Sequence, residues 1–209
     1  MSKVPAVDTF LPGASCLLCM AVAAGANSEL TDHARTLPPE GVAELKQRVA
    51  KLLEARGTEV VQIDAPFDLS KLPNFRVGEI PNAAKKDFRP FKDKYSVEKL
   101  LVIDITGLGF MRTYSAYVPT SDPKGWLGGY GYLVDLNTNT YDWYLPVDVQ
   151  KSAEGEWDEP KDFPGLTNAY FQALEHGKDA FLAPFAAQRP APAIAAPVAP
   201  TPLDEVASQ

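Results

Sequence analysis

The segment GGYGYLVDLNTNTYDWYLPVDV, residues 128–149, decides the fold of this 209-residue chain. Its two arms, residues 128–136 and 141–149, alternate between apolar and polar side chains, which is the period of a β-strand with one buried face. Asn137-Thr138-Asn139 lies between the arms, and asparagine tolerates the left-handed backbone that tight turns need. The pattern therefore predicts a long antiparallel hairpin.

The second arm of this hairpin has one face predicted to be buried (dry) and one predicted to be solvent-exposed (wet). Pro146 lacks a backbone N–H, which favours the edge of a sheet for this arm. The expected dry side chains are Tyr141, Trp143, Leu145, Val147 and Val149, and the expected wet ones are Asp142, Tyr144, Pro146 and Asp148.

The chain before the hairpin reads as a helix, a strand and a loop layer. Apolar residues recur at helical spacing over residues 39–56, and Gly57 suits the position after a helix. TEVVQID at 58–64 is short and β-branched, which predicts a strand. Prolines interrupt residues 65–94, where we expect loops and one short helix over 83–88 capped by Asn82. The expected apolar anchors of this layer are Phe67, Leu69, Leu72, Phe75, Phe88 and Phe91.

Two more strands and a closing helix complete the predicted elements. LLVIDIT at 100–106 and MRTYSAYVP at 111–119 read as strands joined by a bend at Gly107 and Gly109. Residues 166–182 carry an apolar helical face. Because strands follow one another without helices between them, the fold class is α/β of the α+β type. We expect a mostly antiparallel or mixed sheet of about five strands, with helices packed on its face or faces.

The chain divides into three predicted parts. Residues 1–37 form a small-residue, signal-like segment, residues 38–187 a single α/β domain, and residues 188–209 a disordered Pro/Ala-rich tail. The stretch FLPGASCLLCMAVAAGA at 10–26 ends in an A-x-A pattern, but only Lys3 is basic before it. A cleaved signal, a mature N-terminal segment and a hydrophobic helix packed on the core all remain open.

Composition excludes some partners. The net charge is −7 and basic residues do not cluster, so nucleic acid is not an expected partner. No apolar run reaches the roughly 20 residues of a membrane-spanning helix.

Few residues in the sequence suggest a redox, metal-binding or catalytic site. Cys16-Leu17-Leu18-Cys19 is a C-x-x-C, for which a disulfide, an inert apolar pair and lipidation all remain open. A redox site needs a preceding strand and a helix N-terminus at the motif. The two histidines, His33 and His176, are far apart in the sequence, and neither lies in a nucleophile or H-E-x-x-H context, so both are predicted to be surface residues. No catalytic residue, metal or cofactor is predicted.

Aromatic residues concentrate in the hairpin. They pack as cross-strand pairs, and the same rings suit a binding surface for a protein or a glycan. Acidic residues in the strands leave open a facing carboxylate pair, as glycosidases use. The candidate binding residues are Trp126, Tyr130, Tyr132, Tyr141, Trp143 and Tyr144.

The order of motifs over residues 40–182 resembles bacterial envelope lipoproteins of the curli-assembly CsgG-like group. The resemblance rests on Val134-Asp135-Leu136-Asn137-Thr138, followed by Tyr141-Asp142-Trp143 on the return strand. It implies a non-enzymatic protein of the periplasm or outer membrane that acts in assembly or secretion. The implied partners are other envelope proteins, further copies of the chain, and the membrane through peripheral or lipid-anchored association. The alternative function is a carboxylate-based hydrolase acting on envelope glycans.

Overall fold

The computed structural model describes residues 1–64, 68–76 and 80–186. The predicted tail at 188–209 and the predicted anchor Phe67 lie outside the described residues. The helices are α1 (Leu17–Ala26), α2 (Ser28–Ala34), α3 (Leu45–Glu54), α4 (Pro90–Tyr95) and α5 (Pro164–Leu182). The strands are β1 (Asp8–Phe10), β2 (Lys99–Met111), β3 (Tyr114–Ser115), β4 (Val118–Pro119), β5 (Lys124–Asp135) and β6 (Thr140–Ser152).

A mixed sheet organises the described part of the chain, with the strand order β1-β2-β5-β6. β1 runs parallel to β2, whereas β2, β5 and β6 pair antiparallel, and β3 and β4 form a separate two-stranded sheet. The predicted α+β class with helices packed on the sheet is confirmed. The predicted hairpin is β5–β6, and both of its arms are longer than the sequence pattern indicated.

Glycines on β5 let helix α5 lie close against the inner face of the sheet. A Cβ on Gly125 would lie 2.3 Å from the backbone carbonyl carbon of Ala169. A Cβ on Gly177 of α5 would in turn lie 2.7 Å from a methyl of Leu127. The main hydrophobic core fills this interface, and its largest fully buried side chains include Tyr170, Phe110, Phe181, Leu108, Leu127, Leu166 and Leu174.

The prediction of a strand over residues 58–64 is wrong. This segment runs outside the sheet and lines a cavity of about 750 Å³ that also borders β2. The N-terminal segment takes the edge position instead, because Ser2 donates its backbone N–H to Ile103 at 3.0 Å and β1 pairs further along β2. A β-branched composition favours extended backbone, but it does not fix the partner.

The predicted strand over 111–119 is also corrected. β2 continues through a bulge between Ile105 and Gly107 and ends at Met111, so the glycines do not separate two strands. The chain then reverses at Ala116, whose φ of 56° is left-handed, to form the short β3–β4 hairpin.

Two predicted helices change position, whereas the closing helix α5 agrees with its prediction. α3 begins at Leu45 instead of residue 39. The short helix expected over 83–88 is wrong: Asn82 has a left-handed φ of 58° and α4 begins later, at Pro90. Hydrogen bonds from Ala84 and Phe88 to Asn139 hold this stretch against the hairpin turn.

The N-terminal 37 residues pack with the rest of the described structure. Val7, Leu30 and Ala34 are buried in the main core beside α5. The signal-like stretch contains α1, in which Cys19 and Ala23 are buried and most other side chains are exposed. Within the described ranges, no helix combines the length and hydropathy that a membrane span requires.

Candidate functional site

Four tyrosines of the β5–β6 hairpin share the outer face of the sheet. Tyr132 lies opposite Tyr144 in the strand register, and Tyr130 lies opposite Pro146. A register shift between Leu133 and Val134 turns Tyr141 onto the same side, although simple alternation predicted it on the dry face. We call this cluster of Tyr130, Tyr132, Tyr141 and Tyr144 the tyrosine face.

The rings of the tyrosine face pack against one another. The ring centroids of Tyr130 and Tyr144 lie 5.6 Å apart, and those of Tyr132 and Tyr141 lie 5.3 Å apart. Tyr132 is only 6% exposed and forms the floor, while Tyr130 and Tyr144 are 38% and 49% exposed. The arrangement therefore presents two solvent-exposed rings beside a buried one.

Burial dominates the electrostatics of these tyrosines. It raises the pKa of the Tyr132 hydroxyl well above its ordinary value, and the negative charge of Asp104 adds to the effect. Burial also raises the pKa of Tyr144, with smaller contributions from Tyr130, Tyr141 and Asp104. Both hydroxyls stay protonated at neutral pH and can donate a hydrogen bond to a ligand.

A cavity of about 650 Å³ opens beside the tyrosine face. Its other walls come from the loop layer, through Leu69, Phe88 and Asn82, and from two lysines, Lys85 and Lys86. Lys86 donates to the carbonyl of Leu72 at 3.1 Å and is held in place. The cavity thus combines aromatic walls with a few polar groups, as ligand and partner sites usually do.

The strand aspartates differ in whether they have partners. Asp142 pairs with Lys99, and the Asp135 carboxylate accepts the turn N–H groups of Asn137 and Thr138. Asp148 accepts the indole N–H of Trp126 at 2.6 Å. Asp104, which lines the cavity and lies opposite Tyr130 on β2, makes no side-chain hydrogen bond or ion pair with the described residues, although the N-terminal ammonium of Met1 attracts it.

Whether a strand aspartate is already paired decides whether it can belong to the facing carboxylate pair that a glycosidase uses. Asp104 and Asp142 both line the cavity, but Asp142 is tied to Lys99 in an ion pair. An inverting or retaining mechanism needs both carboxylates free to exchange protons or attack. The described geometry thus leaves one available carboxylate at this site, Asp104.

The two tryptophans of the predicted set lie apart from the tyrosine face. Trp126 is further along the outer face, where its ring covers Gly107 and Gly128 and meets Phe10 edge-on at 4.5 Å. Trp143 points to the opposite face, with its ring centroid 5.6 Å from that of Phe185. The six predicted residues therefore divide between a cluster of four and two separate positions.

Asn139 organises the site from the hairpin turn, a role that the sequence did not indicate. The sequence predicted only that it tolerates a left-handed backbone, and its φ is 57°. Its fully buried side chain also accepts the N–H of Phe88 at 2.8 Å and donates to the carbonyl of Lys86 at 2.9 Å. These bonds fix one wall of the cavity against the tyrosine face.

Cys16 and Cys19 lie elsewhere, at the start of α1, and form a disulfide. Among the described residues, no group of three or more His, Cys, Asp or Glu side chains is placed to hold a metal ion.

No protein-family model matches this chain. The curated proteins and the solved structures likewise include no significant match to it.

Proposed function

We propose that this protein is a non-enzymatic accessory protein of the bacterial cell envelope, acting in assembly or secretion through protein–protein contacts made by the tyrosine face. The observation that carries the proposal is the pair of solvent-exposed rings, Tyr130 and Tyr144, on the buried Tyr132, with the carboxylate of Asp104, which no side chain pairs with, on the neighbouring strand.

Tyrosine is well suited to such a contact. It supplies a large apolar area with a hydroxyl donor, and it loses little conformational entropy when it is held. Energetically dominant interface residues are enriched in tyrosine, tryptophan and arginine. Because the four rings already pack on one another, little further ordering is needed on binding, which favours affinity.

Asp104 gives the proposed surface a preference among partners. A half-buried carboxylate with no side chain paired to it favours an arginine or lysine from the partner, whose cation can also lie over the neighbouring rings. A charge-assisted hydrogen bond of this kind contributes about 1.5–3 kcal/mol. Asp104→Asn should therefore weaken binding by roughly tenfold to a hundredfold.

The envelope location is supported by two observations. The Cys16–Cys19 disulfide suits an oxidising compartment such as the periplasm. The hairpin signature at 134–143 resembles that of envelope lipoproteins. Both observations are compatible with a periplasmic location or with peripheral association at the outer membrane, whereas a lipid on Cys16 or Cys19 would exclude the disulfide between them.

Site-specific photo-crosslinking in the bacterium that produces the protein tests the proposal. A crosslinking amino acid replaces Tyr144 or Tyr130, and the matched control replaces Tyr117, which is 62% exposed in the β3–β4 hairpin. We expect a discrete protein adduct from positions 130 and 144 but not from 117, and we expect Asp104→Asn to reduce it.

Two outcomes would contradict the proposal. Equal adducts from Tyr117 and Tyr144 would show that the tyrosine face has no special role. Fractionation that finds the protein only in the cytoplasm would contradict the envelope assignment while leaving the contact surface to be judged by the adducts.

A further inference from the structure

The C-x-x-C motif lies at a helix N-terminus, a backbone setting that favours thiol–disulfide exchange. The short strand β1 precedes it. Cys16, which has an extended backbone, is the N-cap residue of the ten-residue helix α1. The sequence indicated neither the strand nor the helix start. Both conditions for a redox-active pair are therefore met in the fold.

The two sulfur-bearing residues differ in their access to solvent. Cys16 is exposed, whereas Cys19 is only 5% exposed and packs with Ala14, Ala23 and Tyr114. Cys16 is therefore the side of the disulfide at which an incoming thiolate is expected to attack, and Cys19 is left as the protected leaving group. A disulfide with a purely structural role does not need this asymmetry.

The local electrostatics favour a thiolate on Cys16. Its sulfur accepts the backbone N–H of Cys19 at 2.9 Å, at the positive end of the α1 dipole. The first turn of α1 contains no acidic residue, and no charged side chain occurs between Asp8 and Glu29 in the sequence. Helix N-termini lower cysteine pKa values from about 8.5 to about 3.5–7.5.

The surface around Cys16 suits an apolar polypeptide. The neighbouring side chains of Leu17 and Leu18 are 82% and 70% exposed, and Met20 is 50% exposed. Exposed apolar side chains beside a reactive sulfur can hold a partly unfolded segment while exchange takes place.

We propose that the Cys16–Cys19 disulfide oxidises a cysteine pair in a partner polypeptide, in a stoichiometric exchange that goes beyond the non-enzymatic contact role of the tyrosine face. The partner's first thiolate attacks the Cys16 sulfur, so that a mixed disulfide forms, the Cys16–Cys19 bond breaks and Cys19 leaves as a thiolate that takes up a proton. The partner's second thiolate then attacks its own sulfur in the mixed disulfide and releases Cys16 as a thiolate. The partner dithiol loses two electrons, and Cys16 and Cys19 gain them.

Alkylation of the reduced full-length protein tests the assignment of the two sulfurs without any substitution. Limiting iodoacetamide is added over a pH series, and peptide mass spectrometry follows each cysteine. We expect Cys16 to react first, with a half-maximal pH below the value of about 8.5 for an ordinary thiol, and Cys19 to stay protected. Equal reactivity of the two cysteines, or a midpoint for Cys16 at 8.5 or above, would overturn the proposal.

The exchange itself is tested with the oxidised full-length protein and a reduced synthetic peptide that carries two cysteines between apolar residues. We expect the peptide to become oxidised while Cys16 and Cys19 become reduced, about tenfold faster than with the same concentration of oxidised glutathione, because the helix N-terminus stabilises Cys16 as the leaving thiolate of the second step. The double variant Cys16→Ala, Cys19→Ala is the control and should not oxidise the peptide. A disulfide that exchanges no faster than glutathione would show that the pair is structural only.

Discussion

At the scale of single residues, His33 shows how burial gives a polar side chain a structural role. Its Nε2 lies 2.7 Å from the hydroxyl of Thr167, which joins α2 to α5, and its ring stacks on Phe110 with centroids 6.2 Å apart. Burial lowers the pKa of His33, and the opposing attraction of Asp162 is smaller. The sequence placed it in a polar stretch and predicted a surface histidine.

The lowered pKa of His33 predicts a pH-dependent stability. Because the unfolded chain binds this proton more tightly, stability should fall as the pH drops below the unfolded value of about 6.5 and level off below the folded pKa. Urea unfolding between about pH 7.5 and 5.5 would measure this dependence. His33→Gln should flatten the dependence, whereas the control His176→Gln should keep it. An unchanged slope in His33→Gln would assign the effect to other groups.

At the scale of elements, sequence periodicity predicted the helices and strands whose formation depends on a single chain segment. The alternation around Asn137–Asn139 was sufficient for the β5–β6 hairpin, and the apolar spacing was sufficient for α5. The edge position of β1 depends on the partner strand, which a local pattern does not specify. The register shift after Leu133, which moves Tyr141 to the other face, depends in the same way on cross-strand pairing.

The two faces of β6 predict opposite effects for adjacent residues. Trp143 points inward against Phe185 and the backbone of Gly131, whereas Tyr144 is half exposed. Trp143→Ala should therefore lower the free energy of unfolding by about 3 kcal/mol. Tyr144→Ala should lower it by less than about 1 kcal/mol, because exposed positions contribute little to stability. Both values come from urea denaturation monitored by far-UV circular dichroism.

The same two variants also distinguish a residue that stabilises the fold from a residue that contacts the partner. If Trp143→Ala leaves stability unchanged but abolishes the crosslinked adduct, then Trp143 belongs to the contact surface. If Tyr144→Ala is the more destabilising of the two, the assignment of wet and dry faces is wrong.

At the scale of the whole molecule, the candidate site combines residues that are far apart in sequence. The tyrosines could be selected from their density in one hairpin. In the sequence, Asp104 was only one of several strand aspartates. It stands out in the structure because Lys99 pairs with Asp142 and Trp126 donates to Asp148, which leaves Asp104 without a paired side chain. The wall formed by Phe88 depends on a long-range hydrogen bond to Asn139. Such residues become visible only when the fold brings them together.

The two ends of the chain predict opposite results on truncation. Removal of residues 2–10 deletes β1, the bond from Ser2 to Ile103 and the buried Val7, and it uncovers the edge of β2. We expect the melting temperature to fall by roughly 10 °C, which corresponds to about 3 kcal/mol for a domain of this size. Removal of residues 188–209 should leave it nearly unchanged, because a Pro/Ala-rich sequence has little side-chain area to bury. Differential scanning calorimetry measures both truncations. An unchanged midpoint after removal of residues 2–10 would contradict the edge role of β1. A large fall after removal of residues 188–209 would mean that this segment docks on the domain.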